Sequence, residues 1–247
     1  NEVKRQKASI LGKDNEDSFV GIWVNRNAKR KRPADVLESW AMFLQTLERR
    51  EKHRKAILIM HTEPTDQEGP NLYAVAEQLK IEDTVFFSTD RIDFDKMNVL
   101  YNISDFCLNI SYAEGFGLST LESLSCGVPI IANMTGGLQE QVLAPFGNCG
   151  IPLFPASKAI IGSQNVPYIY EDRLDKDQVI SALHKMYALG EQGRRELSQN
   201  GLKHIQENYN FQNFQNRWVS LMLDVYERNG SWNTRTNYNG IRFLEVA

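Results

Sequence analysis

Two glutamates, Glu114 and Glu122, stand with seven residues between them in the stretch EGFGLSTLE. A carboxylate accepts two hydrogen bonds at once, which suits neighbouring hydroxyls on a sugar. Gly115 and Gly117 flank Phe116 and precede Leu118, where a helical run begins. Glycine lets a ligand approach the backbone closely, and a helix N-terminus offers free N–H groups and partial positive charge to a phosphate. Upstream, the stretch Asn25 to Arg32 carries Arg26, Lys29, Arg30, Lys31 and Arg32 and no acid. Such a loop suits a phosphate-bearing ligand, because Arg clamps phosphate oxygens through two donors. Downstream, Gly136 and Gly137 again precede a helical run. Each motif has a plainer account: a capping Glu with a surface Glu, a solvated basic turn, an ordinary tight turn.

Other residues offer less. Asp93-Phe94-Asp95 is an Asp-x-Asp, a metal-binding pattern, but it stands just before a helical run, where Asp is a common cap. No metal is expected. Cys107, Cys126 and Cys149 are odd in number and widely spaced, so they read as reduced structural cysteines of a cytoplasmic protein. His53, His61, His184 and His204 show no metal-ligand spacing. The sequons at Asn102, Asn109, Asn133 and Asn229 are read as chance, Asn109 lying in an expected buried strand.

The elements that would position these residues alternate. Short apolar runs expected as strands occur at 18–24, 56–60, 84–87, 106–110, 129–132 and 151–154. Helical patterns fall between them: from Pro33 through Leu47, then 72–79, 95–103, 118–125 and 138–142. The chain then turns helical over 175–189, 193–208 and 211–228, the last with Phe211, Phe214, Trp218, Leu221 and Val225 on one stripe. Continuous apolar strands alternating with helices imply an α/β fold with a doubly wound parallel sheet. Ligands of such sheets sit at the carboxyl ends of the strands, where all three glycine-rich or basic loops lie.

Composition agrees with a globular chain. The 42% hydrophobic and 24% charged residues exclude a disordered or collagen-like chain, and a net charge of −3 excludes a basic nucleic-acid coat. No nucleic-acid partner is expected. No apolar run reaches the roughly 20 residues of a membrane helix. The absence of a starting Met and of an apolar signal core suggests a fragment without a secretory signal. Residues 1–17 are expected as a leader or interdomain linker, 18–229 as one domain and 230–247 as a tail.

Together the loops resemble the nucleotide-sugar-binding half of the GT-B glycosyltransferases, specifically the retaining family 4, or group 1, type. Its hallmark is Glu, seven residues, Glu, matched by Glu114 and Glu122. CGVPIIANMTGGLQEQV (Cys126 to Val142) is similar to a second family stretch, and Arg26 and Lys31 have the spacing of its phosphate-binding pair. Asn25 replaces the family's usual Gly, and Arg30 or Arg32 competes with Lys31 for the lysine role. The resemblance implies a single Rossmann-like domain, half of a GT-B enzyme, with C-terminal helices. It implies a nucleoside diphosphate sugar donor and no separate cofactor or metal. Arg26, Lys31 and backbone amides of Phe116 to Leu118 would stabilise the leaving diphosphate. Glu122 would hold the ribose, and Glu114 the donor sugar. The base would lie near Ser88 to Arg91. The acceptor would be bound by an absent N-terminal domain, and the full-length enzyme could meet a membrane peripherally. Two alternatives stay open: a nucleotide-sugar epimerase-like enzyme, and a non-catalytic nucleotide- or anion-binding domain.

Overall fold

The structure, a computed structural model, describes residues 2–234, without the side chains of 94 and 95. The segment expected as a leader or interdomain linker is largely helical. Helix α1 (Glu2–Leu11) forms there. Lys7 Nζ donates to Ser18 O at 3.1 Å and pairs with Asp105 at 3.3 Å. Ile10 and Leu11 pack against the core.

The alternation then runs β1 (Phe19–Val24), α2 (Pro33–Glu51), β2 (Ala56–His61), α3 (Leu72–Leu79), β3 (Val85–Ser88), α4 (Phe94–Asn102), β4 (Phe106–Asn109), α5 (Leu118–Ser125), β5 (Ile130–Asn133) and α6 (Leu138–Val142). A two-residue hairpin pair, β6 (Leu143–Ala144) and β7 (Gly147–Asn148), leads to β8 (Gly150–Leu153). A second hairpin, β9 (Ser157–Ile161) and β10 (Ile169–Arg173), precedes α7 (Lys176–Ala188), α8 (Gly190–Asn208) and α9 (Phe211–Asn229). Neither hairpin is evident from hydrophobic pattern: one is too short, and the other has no buried face.

The six-stranded sheet has the order β3-β2-β1-β4-β5-β8, every pairing parallel. Alternate residues of each strand serve opposite faces. Phe19 and Trp23 of β1 pack with Trp40 and Phe43 of α2 and Met186 of α7. Val20 and Ile22 pack with Leu124 of α5 and Leu138 of α6. Both faces are covered, which is why the strands read as unbroken apolar runs. At Gly21 the backbone meets the Phe106 ring of β4, where an added Cβ would lie 2.5 Å away.

The chain divides into two compact units, Asn1–Ile205 and Gln206–Ala247. The boundary falls within α8, whereas the sequence pattern ran one domain to 229. In the second unit, Asn210 caps α9 by accepting from Asn213 N at 2.8 Å, and α9 buries none of its residues. The expected tail beyond 234 lies outside the described residues.

Candidate functional site

The strand order reverses between β1 and β4, so the loops after these neighbours open the crevice where such sheets bind ligands. The basic loop follows β1, and the Glu114 loop follows β4. Tyr112 N donates to Arg30 O at 3.0 Å, joining them. Arg30 Nη1 donates to Ala113 O at 2.9 Å and lies 4.0 Å from the Glu114 carboxylate. Lys31 Nζ makes a direct ion pair with Glu114 Oε2. Lys31 is buried, and that burial lowers its pKa below the ordinary lysine value, with Glu114 opposing the shift. Arg32 points elsewhere, paired with Asp35 and lying 4.6 Å over the Tyr112 ring. Among the competing cations, Lys31 therefore reaches Glu114 most closely.

Helix α5 starts at Leu118, with Gly117 as its N-cap at φ +87°, a conformation few L-residues adopt. Glu122 thus sits just over one turn into the helix. Amides in the first turn lack intrahelical acceptors. Gln141 of α6 braces this turn: its Nε2 donates to Phe116 O at 2.6 Å and Gly117 O at 3.1 Å, and its Oε1 accepts from Thr120 Oγ1 at 2.6 Å. A pocket of about 400 Å³ opens here, lined by Asn25, Lys31, Glu114, Phe116, Leu118 and Glu122, with Gly117 at its wall.

Tyr101, on α4, donates its hydroxyl to Glu122 Oε2 at 2.8 Å. Burial, aided by neighbouring Cys107 and Glu122, drives the Tyr101 pKa far above its usual value, so the hydroxyl keeps its proton and remains a donor. Glu122 is thereby oriented. Sequence reasoning missed Tyr101 and Gln141. The signal for Tyr101 was a tyrosine at helical spacing from Met97 and next to Leu100 on the packed side of α4, since a buried phenol needs a partner.

Gly136 and Gly137 serve the loop beside them. A Cβ on Gly136 would lie 1.7 Å from Glu114 O, and one on Gly137 2.9 Å from Gly115 O. Gly137 N donates to Gly115 O at 3.0 Å. Their close approach is to the backbone of Glu114, Gly115 and Phe116. Around Gly115, by contrast, a Cβ would meet open space.

Two expected residues stand apart. Arg26 is held by Asp66 after β2, Nε to Oδ2 at 2.7 Å and Nη2 to Oδ1 at 3.1 Å, and is largely exposed. Arg91 is exposed in the loop after β3, two strands from β1, and does not line the pocket. Asp93 occupies the N-cap of α4 without a capping bond, pairing instead with Lys96 at 3.3 Å. The side chain of Asp95 lies outside the described residues. Among the described residues no cluster of three or more His, Cys, Asp or Glu could hold a metal.

A six-stranded parallel sheet of this order, with acidic, basic and glycine-rich loops meeting at its switch point, defines a Rossmann-like domain of the GT-B kind. The profile of the "Glycosyl transferases group 1" matches residues 4–152, and the chain belongs to that family. A curated relative, the D-inositol 3-phosphate glycosyltransferase 2 of Catenulispora acidiphila, is 32% identical over 127 residues, 51% of this chain and 30% of the relative. Among solved structures, the C-terminal domain of a glycosyl transferase group 1 family protein from Francisella tularensis superposes with TM-score 0.61 at 19% identity, covering 84% of this chain and 92% of that one. Anabaena HepE, in complex with UDP-glucose, gives TM-score 0.66 at 15% identity, covering 90% and 52%. The chain thus spans about a third of that curated relative and about half of HepE.

Proposed function

We propose that this chain is the donor-binding half of a retaining glycosyltransferase that binds a nucleoside diphosphate sugar. The observation that carries the proposal is one pocket lined together by Lys31, Glu114, Glu122 and the first turn of α5. In this reading the Lys31 ammonium and the α5 amides hold the diphosphate, the preorganised electrostatic role. Glu122, steadied by Tyr101, accepts from the ribose hydroxyls. Glu114 contacts the donor sugar and stabilises positive character at its anomeric carbon. Arg26 joins when a diphosphate draws it from Asp66, an exposed pairing of the weak kind. The base lies toward the loop after β3, near Arg91.

The reaction breaks the bond between the anomeric carbon and the diphosphate oxygen. The acceptor hydroxyl oxygen bonds that carbon on the same face, and its proton leaves with the diphosphate. Protein cations stabilise the departing charge, so the reaction proceeds without a metal. The acceptor is held by a second domain, so this chain alone binds donor but transfers sugar poorly.

Calorimetric titration with UDP, GDP, ADP and their sugars, with and without EDTA, tests this. Micromolar to millimolar binding of one nucleotide series, insensitive to EDTA and weakened by Glu122→Ala, is the expected result. Binding that requires Mn²⁺, or survives Glu122→Ala unchanged, contradicts the assignment.

A further inference from the structure

A smaller cavity, of about 210 Å³, opens at the same edge of the sheet as the Glu114 pocket. The start of α2 supplies Arg32, Asp35 and Ser39 to its wall, the chain just beyond β4 supplies Ile110 and Tyr112, and the start of α7 supplies Lys176. Among the described residues the cavity and the pocket share no lining residue. Lys31 and Arg32 are consecutive, yet one serves the pocket and the other the cavity. The wall at Tyr112 is held on both sides: its N–H donates to Arg30 O at 3.0 Å, and its carbonyl accepts from Asp172 N at 2.8 Å.

The charges around the cavity are balanced. Arg32 is paired with Asp35, and Lys176 with Glu38. Two helix N-termini face it, and each already has a carboxylate. Asp35 stands in the first turn of α2, and Asp175 caps α7 by accepting from Asp177 N at 3.1 Å. An anion would find its cations taken, and a cation would meet two positive helix ends.

One group is left over. Ser39 lies one turn beyond Asp35 on the same side of α2 and is 0% exposed. Its hydroxyl has no hydrogen-bond partner among the described residues. A serine inside a helix often bonds the carbonyl four residues back, and this one does not. A buried hydroxyl left unpaired is costly, so its partner is to be sought in the cavity that it lines.

We infer that the cavity is a carbohydrate site that takes one uncharged sugar ring. A sugar hydroxyl donates and accepts at once. One hydroxyl can therefore bridge Asp35 and Arg32 without upsetting the charge balance, and another completes Ser39. Ile110, Leu174 and Val179 add apolar wall that suits the C–H face of a ring. Size agrees. At about 30 Å³ per water the cavity has room for about seven waters, comparable to a single ring. It falls below the roughly 300 Å³ at which pockets for larger ligands begin.

Saturation-transfer difference NMR on the full chain, with methyl glucoside, methyl galactoside and methyl mannoside as probes, tests the inference. At least one glycoside binds in the millimolar range, and saturating UDP does not displace it. Ser39→Ala weakens that glycoside about two- to twelvefold, the worth of one hydrogen bond. The same change does not lower thermal stability, because the hydroxyl it removes is unpaired. Asp35→Asn, which keeps the shape of the side chain, also weakens binding; should it fail to fold, Ser39→Ala decides alone. The inference is overturned if no glycoside binds, or if UDP displaces the glycoside, which puts the sugar in the donor pocket. Displacement by inorganic phosphate overturns it too, by making the cavity an anion site. So does a Ser39→Ala variant that binds the glycoside as the wild type does, or one that loses thermal stability, which makes the hydroxyl structural. UDP titrated alone tests the donor reading separately: a chain that binds a glycoside but not UDP keeps the cavity and loses the donor assignment.

Discussion

Tyr101→Phe isolates one hydrogen bond of the candidate site. The ring stays, so the packing of this buried side chain is retained, and only the donor to Glu122 Oε2, 2.8 Å away, is removed. Glu122 is half-buried, and without the phenol its carboxylate regains rotamer freedom that a ligand must then arrest. Immobilising such a side chain costs about 0.5–1.5 kcal/mol. At about 1.4 kcal/mol per tenfold, that is a roughly 2- to 12-fold weaker nucleotide affinity. The effect is specific to the ribose. A 2′,3′-dideoxynucleotide has no hydroxyls for Glu122, so its affinity should be the same for wild type and Tyr101→Phe. Paired calorimetric titrations of the ribo and dideoxy forms give the ratio directly. If Tyr101→Phe weakens both forms equally, the phenol supports the fold rather than the ribose contact. If it weakens neither, Glu122 is not being positioned by it.

Other consequences follow from the same contacts. Gly136→Ala places a Cβ into Glu114 O at a residue with φ +50°, and should lower stability by about 1–3 kcal/mol or more in denaturant titration while also weakening nucleotide binding. Burial lowers the Lys31 pKa, so the free protein loses that proton below the ordinary lysine value near 10.4. Diphosphate affinity should therefore fall as pH rises through that lowered pKa, and Lys31→Arg should flatten the alkaline limb of the binding profile. Burial also lowers the pKa of His61 and of His184, the latter with help from Arg50. Between their lowered values and about 6.5 the unfolded chain binds more protons than the folded one. Thermal stability should consequently decrease as pH falls below about 6.5, and His61→Gln with His184→Gln should reduce that slope.

Local pattern disclosed the sheet because its strands are covered on both sides. Runs such as Ala56-Ile57-Leu58-Ile59-Met60 have no solvent face to interrupt them. The helices between them were equally plain, α2 especially, with Pro33 at its start and Val36, Leu37, Trp40, Phe43, Leu44 and Leu47 buried. Lys31 and Glu114 were legible as candidates because glycines and cations cluster around strand ends. Their pairing was not, since 83 residues separate them. Arg26 illustrates the limit: its spacing from Lys31 suggested a shared ligand, but Asp66, 40 residues away, takes its guanidinium. Helix α1 escaped notice because it buries no residue fully and is mostly polar. Gly136 was recognised as a close-approach residue, but a sequence does not say what approaches.

The position of β1 in the sheet also bears on how the chain is made. Synthesis supplies β1, β2 and β3 first, and these pair in the order β3-β2-β1. The other edge of β1 waits for β4, which begins at Phe106. Until then the nascent protein carries a three-stranded sheet whose most apolar strand has an open row of backbone groups, a template for pairing with another chain. Arrival of β4 closes that edge and, in the same event, brings Glu114 to Lys31. Joining of the Glu114 loop to Lys31 and closure of the open edge are therefore one step of assembly, and a ribosome stalled within α4 would expose a product in which neither has happened.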